Sequence, residues 1–189
     1  MDEPRAVVLV EGLSDRIALE TLAERRGRDL AAEGIAVIPI GGAQAIGRFL
    51  DLYGPRGRDL RLAGLCDAAE ERDFRRGLER AGLGSELTRA GIEALGFYVC
   101  DADLEEELIR ALGATAVEAV VEAEGDLGPF RTLQKQPAWR GRPLEEQLRR
   151  FMGSGGSRKI RYARLLVEAL DLDRVPRALD LVLARLTAE

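Results

Sequence analysis

Near its amino terminus the sequence reads VVLVEGLSD at residues 7–15, four apolar residues that run into an acid, a glycine and, three residues further on, a second acid. The apolar run is typical of a buried β-strand, and Gly12 permits the tight turn that leads into a helix. Glu11 and Asp15 then place two hard oxygen donors at one edge of a sheet, as a divalent cation requires. The same acids also fit a plain strand end and a carboxylate that complements a helix dipole, so this stretch alone leaves the function open.

Three further apolar runs follow along the chain, and each ends in glycines or an acid. They are residues 35–40 before Gly41 and Gly42, residues 62–66 before Asp67, and residues 97–100 before Asp101. Amphipathic stretches of helical length separate the runs, at about residues 15–28, 43–52 and 69–81. This alternation predicts an α/β fold with a doubly wound, mainly parallel sheet of about four strands, in which ligands bind beyond the carboxyl ends of the strands.

The carboxyl-terminal part of the sequence predicts a helical extension. Helical periodicity is present at residues 115–124, 144–152, 158–170 and 175–186. The connector at residues 125–143 contains glycines and prolines, and we expect an ordered loop there. The chain is therefore expected to consist of an α/β core at residues 1–113 and a helical extension at residues 114–189, packed together as one globular unit.

Composition limits the chemistry that the chain can perform. The 189 residues contain no histidine, which removes the commonest general base and excludes serine-histidine-aspartate and cysteine-histidine catalysis. Carboxylates are plentiful, and they suit magnesium or manganese better than zinc or copper. Cys66 and Cys100 each end a predicted buried strand without the spacing of a metal site, so we interpret them as packed thiols.

The sequence shows no sign of a membrane segment. No apolar stretch approaches the roughly 20 residues that cross a bilayer. The first five residues, MDEPR, lack the basic-then-apolar pattern of a secretory signal. A cytoplasmic protein without membrane contact is therefore the expectation.

Charge is unevenly distributed along the sequence. The chain has a formal net charge of −5, yet residues 131–164 contain ten basic and two acidic residues, a local charge of +8. A basic segment beside an acidic core suits DNA, with Arg158, Arg161 and Arg164 on a predicted helix as candidate phosphate contacts. Arginine-rich solvated helix faces are equally common, so the segment alone decides nothing. Trp139 lies in the same segment and could stack a base, although core packing is the commoner place for a lone tryptophan.

In their order and spacing these residues resemble the Toprim domain shared by topoisomerases, bacterial primases and overcoming-lysogenization-defect (OLD) nucleases. The resemblance rests on Glu11-Gly12 with Asp15, on Gly41-Gly42 after the second strand, and on Asp67 after the third. The likeness is strongest to the OLD nucleases, because DLEE at residues 103–106 follows the fourth strand and GGSRK at residues 155–159 opens a carboxyl-terminal helix. With these two elements the resemblance covers most of the chain.

The resemblance implies a metal site and a catalytic lysine. The carboxylates expected to bind Mg²⁺ or Mn²⁺ are Glu11, Asp15, Asp67, Glu70, Asp103 and Glu105. Glu105 matches the family's Asp-Leu-Glu element by position, and Asp103 is the less favoured of the two. Lys159 corresponds to the lysine that the family uses to stabilise the transition state, and Glu11 is the expected general base. Gly41 and Gly42 join the three arginines as expected nucleic-acid contacts.

One departure from the family pattern follows the third strand. Toprim domains usually carry an Asp-x-Asp pair there, whereas this sequence reads DAAEE at residues 67–71, so Ala69 replaces the second acid. Either Glu70 or Glu71 supplies the missing oxygen from the first helical turn, or one metal position is lost. One-metal and two-metal hydrolysis both stay open.

The predicted function is a Mg²⁺- or Mn²⁺-dependent endonuclease that hydrolyses DNA phosphodiester bonds. Two alternatives stay open: a catalytically weakened module that binds nucleic acid or a partner without cleavage, and nucleotidyl transfer, which ranks lower. Full-length OLD nucleases couple their Toprim domain to an ATPase. No G-x-x-x-x-G-K-[ST] sequence occurs here, so any ATPase partner would be separately encoded, and whether one exists stays open. The sequence does not decide whether the substrate is DNA or RNA, and it does not determine the oligomeric state.

Overall fold

The computed structural model describes residues 3–187, and these form a single sheet of four parallel strands. The strands are β1 (Ala6–Val10), β2 (Ile35–Pro39), β3 (Arg61–Asp67) and β4 (Phe97–Cys100). Their order in the sheet is β2-β1-β3-β4, and each neighbouring pair is parallel. The predicted α/β fold with about four strands is confirmed.

Helices cover both faces of the sheet. Within residues 3–187 they are α1 (Leu13–Arg25), α2 (Ile46–Tyr53), α3 (Glu71–Arg80), α4 (Arg89–Ala94), α5 (Leu104–Leu112), α6 (Ala114–Ala123), α7 (Leu127–Lys135), α8 (Leu144–Met152), α9 (Gly156–Ala169) and α10 (Arg177–Thr187). One face carries α2, α3 and α4, and the other carries α1 and the helices from α5 onward. None of the described helices is long and apolar enough to cross a membrane.

Strand β1 lies at the centre of the protein and is buried along its whole length. Ala6, Val8 and Val10 point into the core on the α1 face, whereas Val7 and Leu9 point into the core on the α2 face. A parallel strand covered on both sides is apolar at every position instead of alternating, which explains the uninterrupted run before Glu11.

The order of the strands places a switch point between β1 and β3. From β1 the chain crosses to β2 on one side, and β3 is followed by β4 on the other side. In open parallel sheets of this kind, ligands bind where the winding reverses, beyond the carboxyl ends of the two central strands. Glu11 follows β1 and Asp67 ends β3, so both acids lie at this switch point.

The helical extension packs on α1. The Arg25 guanidinium donates hydrogen bonds of 2.8 and 2.6 Å to the carbonyl oxygens of Val167 and Leu170, which ties the end of α1 to the end of α9. Side chains from β1, α1 and the helices after α5 belong to one buried apolar cluster. The division of the chain at residue 113 stays a prediction.

The expectation of a loop at residues 125–143 was wrong for residues 127–135, because helix α7 lies there. Pro129 occupies the third position of α7, where a backbone N–H has no acceptor within the helix, so the proline does not prevent helix formation. Phe130 anchors the helix, being fully buried beside Phe151. The short helix α4 was not predicted from the sequence either.

Candidate metal centre at the sheet edge

Glu11 leaves the end of β1 and turns toward the neighbouring strand. Its Oε1 accepts a hydrogen bond of 2.8 Å from the backbone N–H of Asp67. Parallel pairing sets Val10 beside Leu65, which brings the two strand ends into register. The backbone of β3 therefore fixes the direction of the Glu11 carboxylate.

Three carboxylates meet at this edge, from Glu11, Asp67 and Glu70. One oxygen from each lies within 4.8 Å of the others. The sequence offered Glu70 or Glu71 as the replacement for the missing acid, and Glu70 is the one that joins the cluster. Glu71 instead accepts hydrogen bonds of 2.9 and 2.6 Å from the Arg89 guanidinium.

Asp15 approaches the same edge from the first turn of α1. Its Oδ2 accepts a hydrogen bond of 2.7 Å from the backbone N–H of Gly12, and the side chain is buried. Asp15 therefore caps the start of α1 in addition to complementing the helix dipole. Asp15 also lies close enough to Glu11 and Asp67 for its charge to raise their pKa values, so capping and metal binding are compatible.

Glu105 and Lys159 face each other across the gap between α5 and α9. Lys159 Nζ lies 3.3 Å from Glu105 Oε1, and the Glu105 side chain is only 8% exposed. Oε1 accepts no well-aligned hydrogen bond from any described residue. A buried carboxylate oxygen with one ion pair and no further donor has capacity for another positive partner.

Asp103 is more fully engaged than the other candidate ligands. Its Oδ1 caps α5 by accepting a hydrogen bond of 2.8 Å from the Glu106 N–H. Its Oδ2 lies 2.7 Å from Nε and 2.5 Å from Nη2 of Arg149. Arg149 on α8 was not singled out from the sequence, because it is 46 residues away from its partner and only the general basic excess pointed to it.

The carboxylates at the edge raise one another's pKa. The pKa of Glu11 is raised to about 7, mainly by burial and further by the nearby charges of Glu70 and Asp15. The hydrogen bond from the Asp67 backbone lowers this pKa but only partly offsets the rise. Burial and the charge of Glu11 raise the pKa of Asp67 to about 8. Burial also raises the pKa of Glu105 above its usual value. Near neutral pH these carboxylates therefore repel one another, and a bound cation would reduce that repulsion.

Lys159 supplies positive charge at the edge. Burial lowers its pKa, but the carboxylates of Glu105 and Asp15 outweigh this effect and the net shift is upward. The ammonium group is therefore charged at neutral pH, and it holds its position between acids of α1 and α5.

These side chains fit a hard divalent cation. Every donor is an oxygen, and the described residues that converge here include no imidazole or thiolate ligand. Three oxygens within reach of one point, together with raised carboxylate pKa values, suit a divalent cation. Glu11, Asp67 and Glu70 are the residues that would hold such an ion, and Asp15 and Glu105 lie beside them.

The raised pKa values predict a stability that depends on pH. An acid whose pKa is higher in the folded than in the unfolded state weakens the fold as pH rises from about 4 to about 8. For Asp67 we expect this loss to be on the order of 2 kcal/mol once solvent screening is included. Without divalent cation, Asp67→Asn should therefore stabilise the protein relative to wild type more at about pH 8.5 than at about pH 5.

Denaturant unfolding in EDTA at these two pH values measures the effect. The comparison must be between wild type and variant, because Glu11, Asp15 and Glu105 also have raised pKa values and add their own dependence on pH. A stability difference that is the same at both pH values would contradict the interpretation.

Gly41 and Gly42 lie against the same edge in a conformation that requires glycine. Their φ angles are +79° and +114°, and their N–H groups donate hydrogen bonds of 3.1 and 3.2 Å to the carbonyl oxygen of Glu11. A Cβ atom at either position would meet nothing within 4 Å, so open space lies beside Glu11. Because both N–H groups already donate to Glu11, these glycines leave room for a nucleic acid but provide no free hydrogen-bond donor to it. Their role in nucleic-acid binding stays a prediction.

The arginines of helix α9 are less available for binding phosphate than the sequence suggests. Arg161 pairs with Asp126, and Arg164 Nε lies 2.6 Å from Glu168 Oε1. Arg158 stacks over the Phe151 ring, 4.3 Å from its centroid, and has no acidic partner among residues 3–187. Of the three predicted phosphate contacts, only Arg158 is therefore free of competition from a carboxylate.

The two cysteines confirm their predicted role. Cys66 and Cys100 are free, buried thiols at the ends of β3 and β4. Burial raises the pKa of both thiols far above their usual range. Neither is therefore a nucleophile or a metal ligand in this site.

Comparisons with known proteins agree with the geometry. Residues 4–67 match the family model of the overcoming-lysogenization-defect protein-like TOPRIM domain. This region contains β1, β2 and β3 with Glu11, Asp15 and Asp67. The predicted resemblance to the Toprim domain of OLD proteins is confirmed over this region. No curated protein matches the chain.

Similar solved structures come from the carboxyl-terminal regions of OLD proteins. One from Xanthomonas campestris pv. campestris has a TM-score of 0.73 at 24% identity, covering 98% of this chain and 95% of that one. One from Burkholderia pseudomallei has a TM-score of 0.73 at 23% identity, covering 97% of each chain. The shared fold thus extends beyond residue 67 through the helical extension.

Proposed function

We propose that this chain is a nuclease that hydrolyses DNA phosphodiester bonds with the help of Mg²⁺ or Mn²⁺. The observation that carries the proposal is the cluster of Glu11, Asp67 and Glu70, with one oxygen of each within 4.8 Å of the others. Lys159 completes the edge, since it is a charged group placed 3.3 Å from Glu105 beside this cluster. Carboxylates that hold metal next to a fixed cation are suited to a reaction in which a phosphate gains negative charge.

Glu11, Asp67 and Glu70 would hold the cation, with Asp15 and Glu105 as further candidate ligands and Asp103 as the alternative. When bound, the ion polarises the phosphate and lowers the pKa of water at the site. The proposal assigns no fixed number of ions, because Glu70 provides an acid in place of Ala69 but from a different position.

Glu11 is the proposed general base. Without metal its pKa is raised to about 7, and a bound cation would lower that pKa, so Glu11 acts as the base where the ion leaves its carboxylate partly unoccupied. The Asp67 N–H holds Oε1 in a fixed direction, so the carboxylate is oriented before substrate binds. This arrangement lets Glu11 accept a proton at its carboxylate from an attacking water.

Lys159 is the proposed stabiliser of charge that develops on the phosphate. The ammonium group is compact and carries three donors, so its ion pair with Glu105 leaves two donors for substrate oxygens. Glu105 and Asp15 keep the group protonated through their effect on its pKa, which opposes that of burial. Lys159 thereby meets the phosphate as a preorganised cation.

Phosphates outside the reacting position would be bound by the basic segment at residues 131–164. Arg158 is the foremost of these contacts because no described carboxylate competes for it. Arg161 and Arg164 contribute only by exchanging their partners Asp126 and Glu168 for phosphate oxygens. The resulting affinity should fall steeply with salt.

Metal dependence tests the proposal directly. We expect purified protein to nick or linearise plasmid DNA with Mg²⁺ or Mn²⁺, to lose this activity in EDTA, and to gain melting temperature when the ion is added. Glu70→Gln should weaken metal binding by roughly tenfold or more, since it removes one of three clustered carboxylate charges.

Glu71→Gln is the matched control, because Glu71 is the adjacent acid but pairs with Arg89 instead of joining the cluster. Equal metal affinity in the two variants would remove Glu70 from the site. Salt-sensitive DNA binding with neither cleavage nor a metal-dependent rise in melting temperature would favour the alternative, a binding module without catalysis.

A further inference from the structure

A cleft between α5 and α8 opens directly beside the candidate metal centre. Its volume is ≈ 910 Å³. The residues that matter for its chemistry are Glu105, Ile109, Trp139, Arg149, Arg150 and Lys159. Glu105 and Lys159 belong to both the cleft and the metal centre, so a molecule in the cleft lies next to the proposed position of the scissile phosphate. We call this space the interhelical cleft.

Trp139 lines the interhelical cleft and is not a core residue, which contradicts the expectation of core packing. Its backbone carbonyl oxygen accepts a hydrogen bond of 2.8 Å from the buried amide of Gln147, which fixes the position of the residue. The guanidinium groups of Arg142 and Arg150 lie 5.3 and 5.9 Å from the ring centroid. A half-buried indole flanked by cations and facing an open space is a stacking platform for a planar anionic molecule.

Four of the five carboxylates that line the cleft are paired with cations, Asp103 and Glu106 with Arg149, Glu146 with Arg142 and Glu105 with Lys159, whereas Glu145 has no ion pair among residues 3–187. Arg149 lies 2.5 Å from Asp103 and 3.3 Å from Glu106. Arg142 lies 3.1 Å from Glu146. Arg150, by contrast, has no acidic partner among residues 3–187, so its charge is available to a phosphate beside Trp139.

The size of the cleft selects the form of the nucleic acid. A space of ≈ 910 Å³ matches the volume of a site for one drug-sized molecule, which corresponds to about one or two nucleotides. A double helix cannot enter such a space, whereas an unpaired strand can insert its bases one at a time. Stacking on an aromatic ring requires an exposed base face, which a paired base does not offer.

We propose that the interhelical cleft binds unpaired DNA beside the cleavage position, with one base stacked on Trp139 and a neighbouring phosphate on Arg150. The inference rests on the proposed function for the position of the scissile phosphate, and it specifies the substrate as DNA with a single-stranded stretch next to the cut. Stacking does not distinguish strongly among bases, so the cleft selects strand form and not sequence.

Trp139 is the only tryptophan in the sequence, so its fluorescence reports on the cleft alone. We expect a thymidine oligonucleotide of about five residues, added to the full chain in EDTA, to quench this fluorescence. An oligonucleotide of the same length with abasic sites, and a blunt duplex, should quench much less. Because EDTA prevents cleavage by the proposed mechanism, the signal measures binding alone.

Variants assign the binding to the indole ring. In anisotropy titrations with a dye-labelled oligonucleotide, Trp139→Ala should weaken binding about 10- to 100-fold, and Trp139→Phe should restore most of the loss. Arg80→Gln is the matched control, because it removes an exposed positive charge from α3, on the other face of the sheet and outside both the cleft and the basic segment at residues 131–164. Its effect should stay below about threefold. Equal melting temperatures for the three variants establish that each one folds.

Each outcome separates this inference from the nuclease proposal. Absence of quenching, equal quenching by abasic or duplex DNA, or unchanged affinity in Trp139→Ala would overturn the inference even if the protein cleaves plasmid. Quenching in the wild type, together with an affinity that Trp139→Phe retains and Trp139→Ala loses, would support it even if no cleavage is ever observed. In that second case the cleft binds unpaired DNA and the nuclease proposal fails.

Discussion

Replacing Glu11 by glutamine should reduce metal-dependent DNA cleavage by about 10³-fold or more, because it removes the proposed base and one of three clustered carboxylate charges together. The change preserves shape, and the amide oxygen can still accept the hydrogen bond from the Asp67 N–H. The variant should therefore fold. It should even be more stable than wild type near pH 8 in EDTA, since the carboxylate with a pKa of about 7 no longer repels its neighbours.

Single-turnover cleavage of plasmid in Mn²⁺ measures this effect, with the melting temperature as a check on folding. Glu122→Gln on the exposed side of α6 is the matched control and should cleave like wild type. Cleavage by Glu11→Gln at the wild-type rate would show that the activity comes from a contaminant or from another site.

Replacing Lys159 by glutamine is expected to reduce kcat by about 10²- to 10³-fold, as does the loss of other preorganised groups that stabilise transition-state charge. The metal-dependent rise in melting temperature should persist, because Glu11, Asp67 and Glu70 remain. Overall stability should fall, since the buried carboxylate of Glu105 loses its partner at 3.3 Å.

Two comparisons separate chemistry from stability. Lys159→Arg retains the positive charge but not the compact ammonium group, so it should restore stability more completely than kcat. Lys135→Gln removes the other lysine of the chain and should leave kcat within about twofold. If kcat is unchanged in Lys159→Gln, or if the metal response is lost along with it, Lys159 acts only through Glu105 and not on the phosphate.

The convergence of the acids was predictable because it depends on short-range rules. An apolar run followed directly by Glu11, and another by Asp67, identifies the ends of two parallel strands. Parallel strands end at the same side of the sheet, so their acids meet whatever the details of packing. The sequence limited the replacement acid to Glu70 or Glu71 but could not choose between them, because that choice depends on the rotation of the first turn of α3.

Contacts between distant helices were not predictable in the same way. The ion pair of Arg149 with Asp103 joins α8 to α5, and no local pattern links two residues so far apart. Trp139 was misplaced for a related reason: hydrophobicity favours the core, but only the packing of α5 and α8 shows that a cleft remains beside the ring. Helix α7 was missed because its glycine and Pro129 indicated a loop, although proline is tolerated at this position in the first turn of a helix.

The contact between α9 and α1 determines how this protein can be divided. The apolar side of α1, with Ala18, Leu19 and Leu22, is fully buried in a cluster that also contains Leu166 and Val167 of α9. A fragment ending at residue 113 would retain Glu11, Asp67 and Glu70 but would expose that apolar surface to water and lack the ammonium group beside Glu105. The acids at the strand ends and the residues after 113 are therefore expected to fold together, and a fragment that separates them should aggregate.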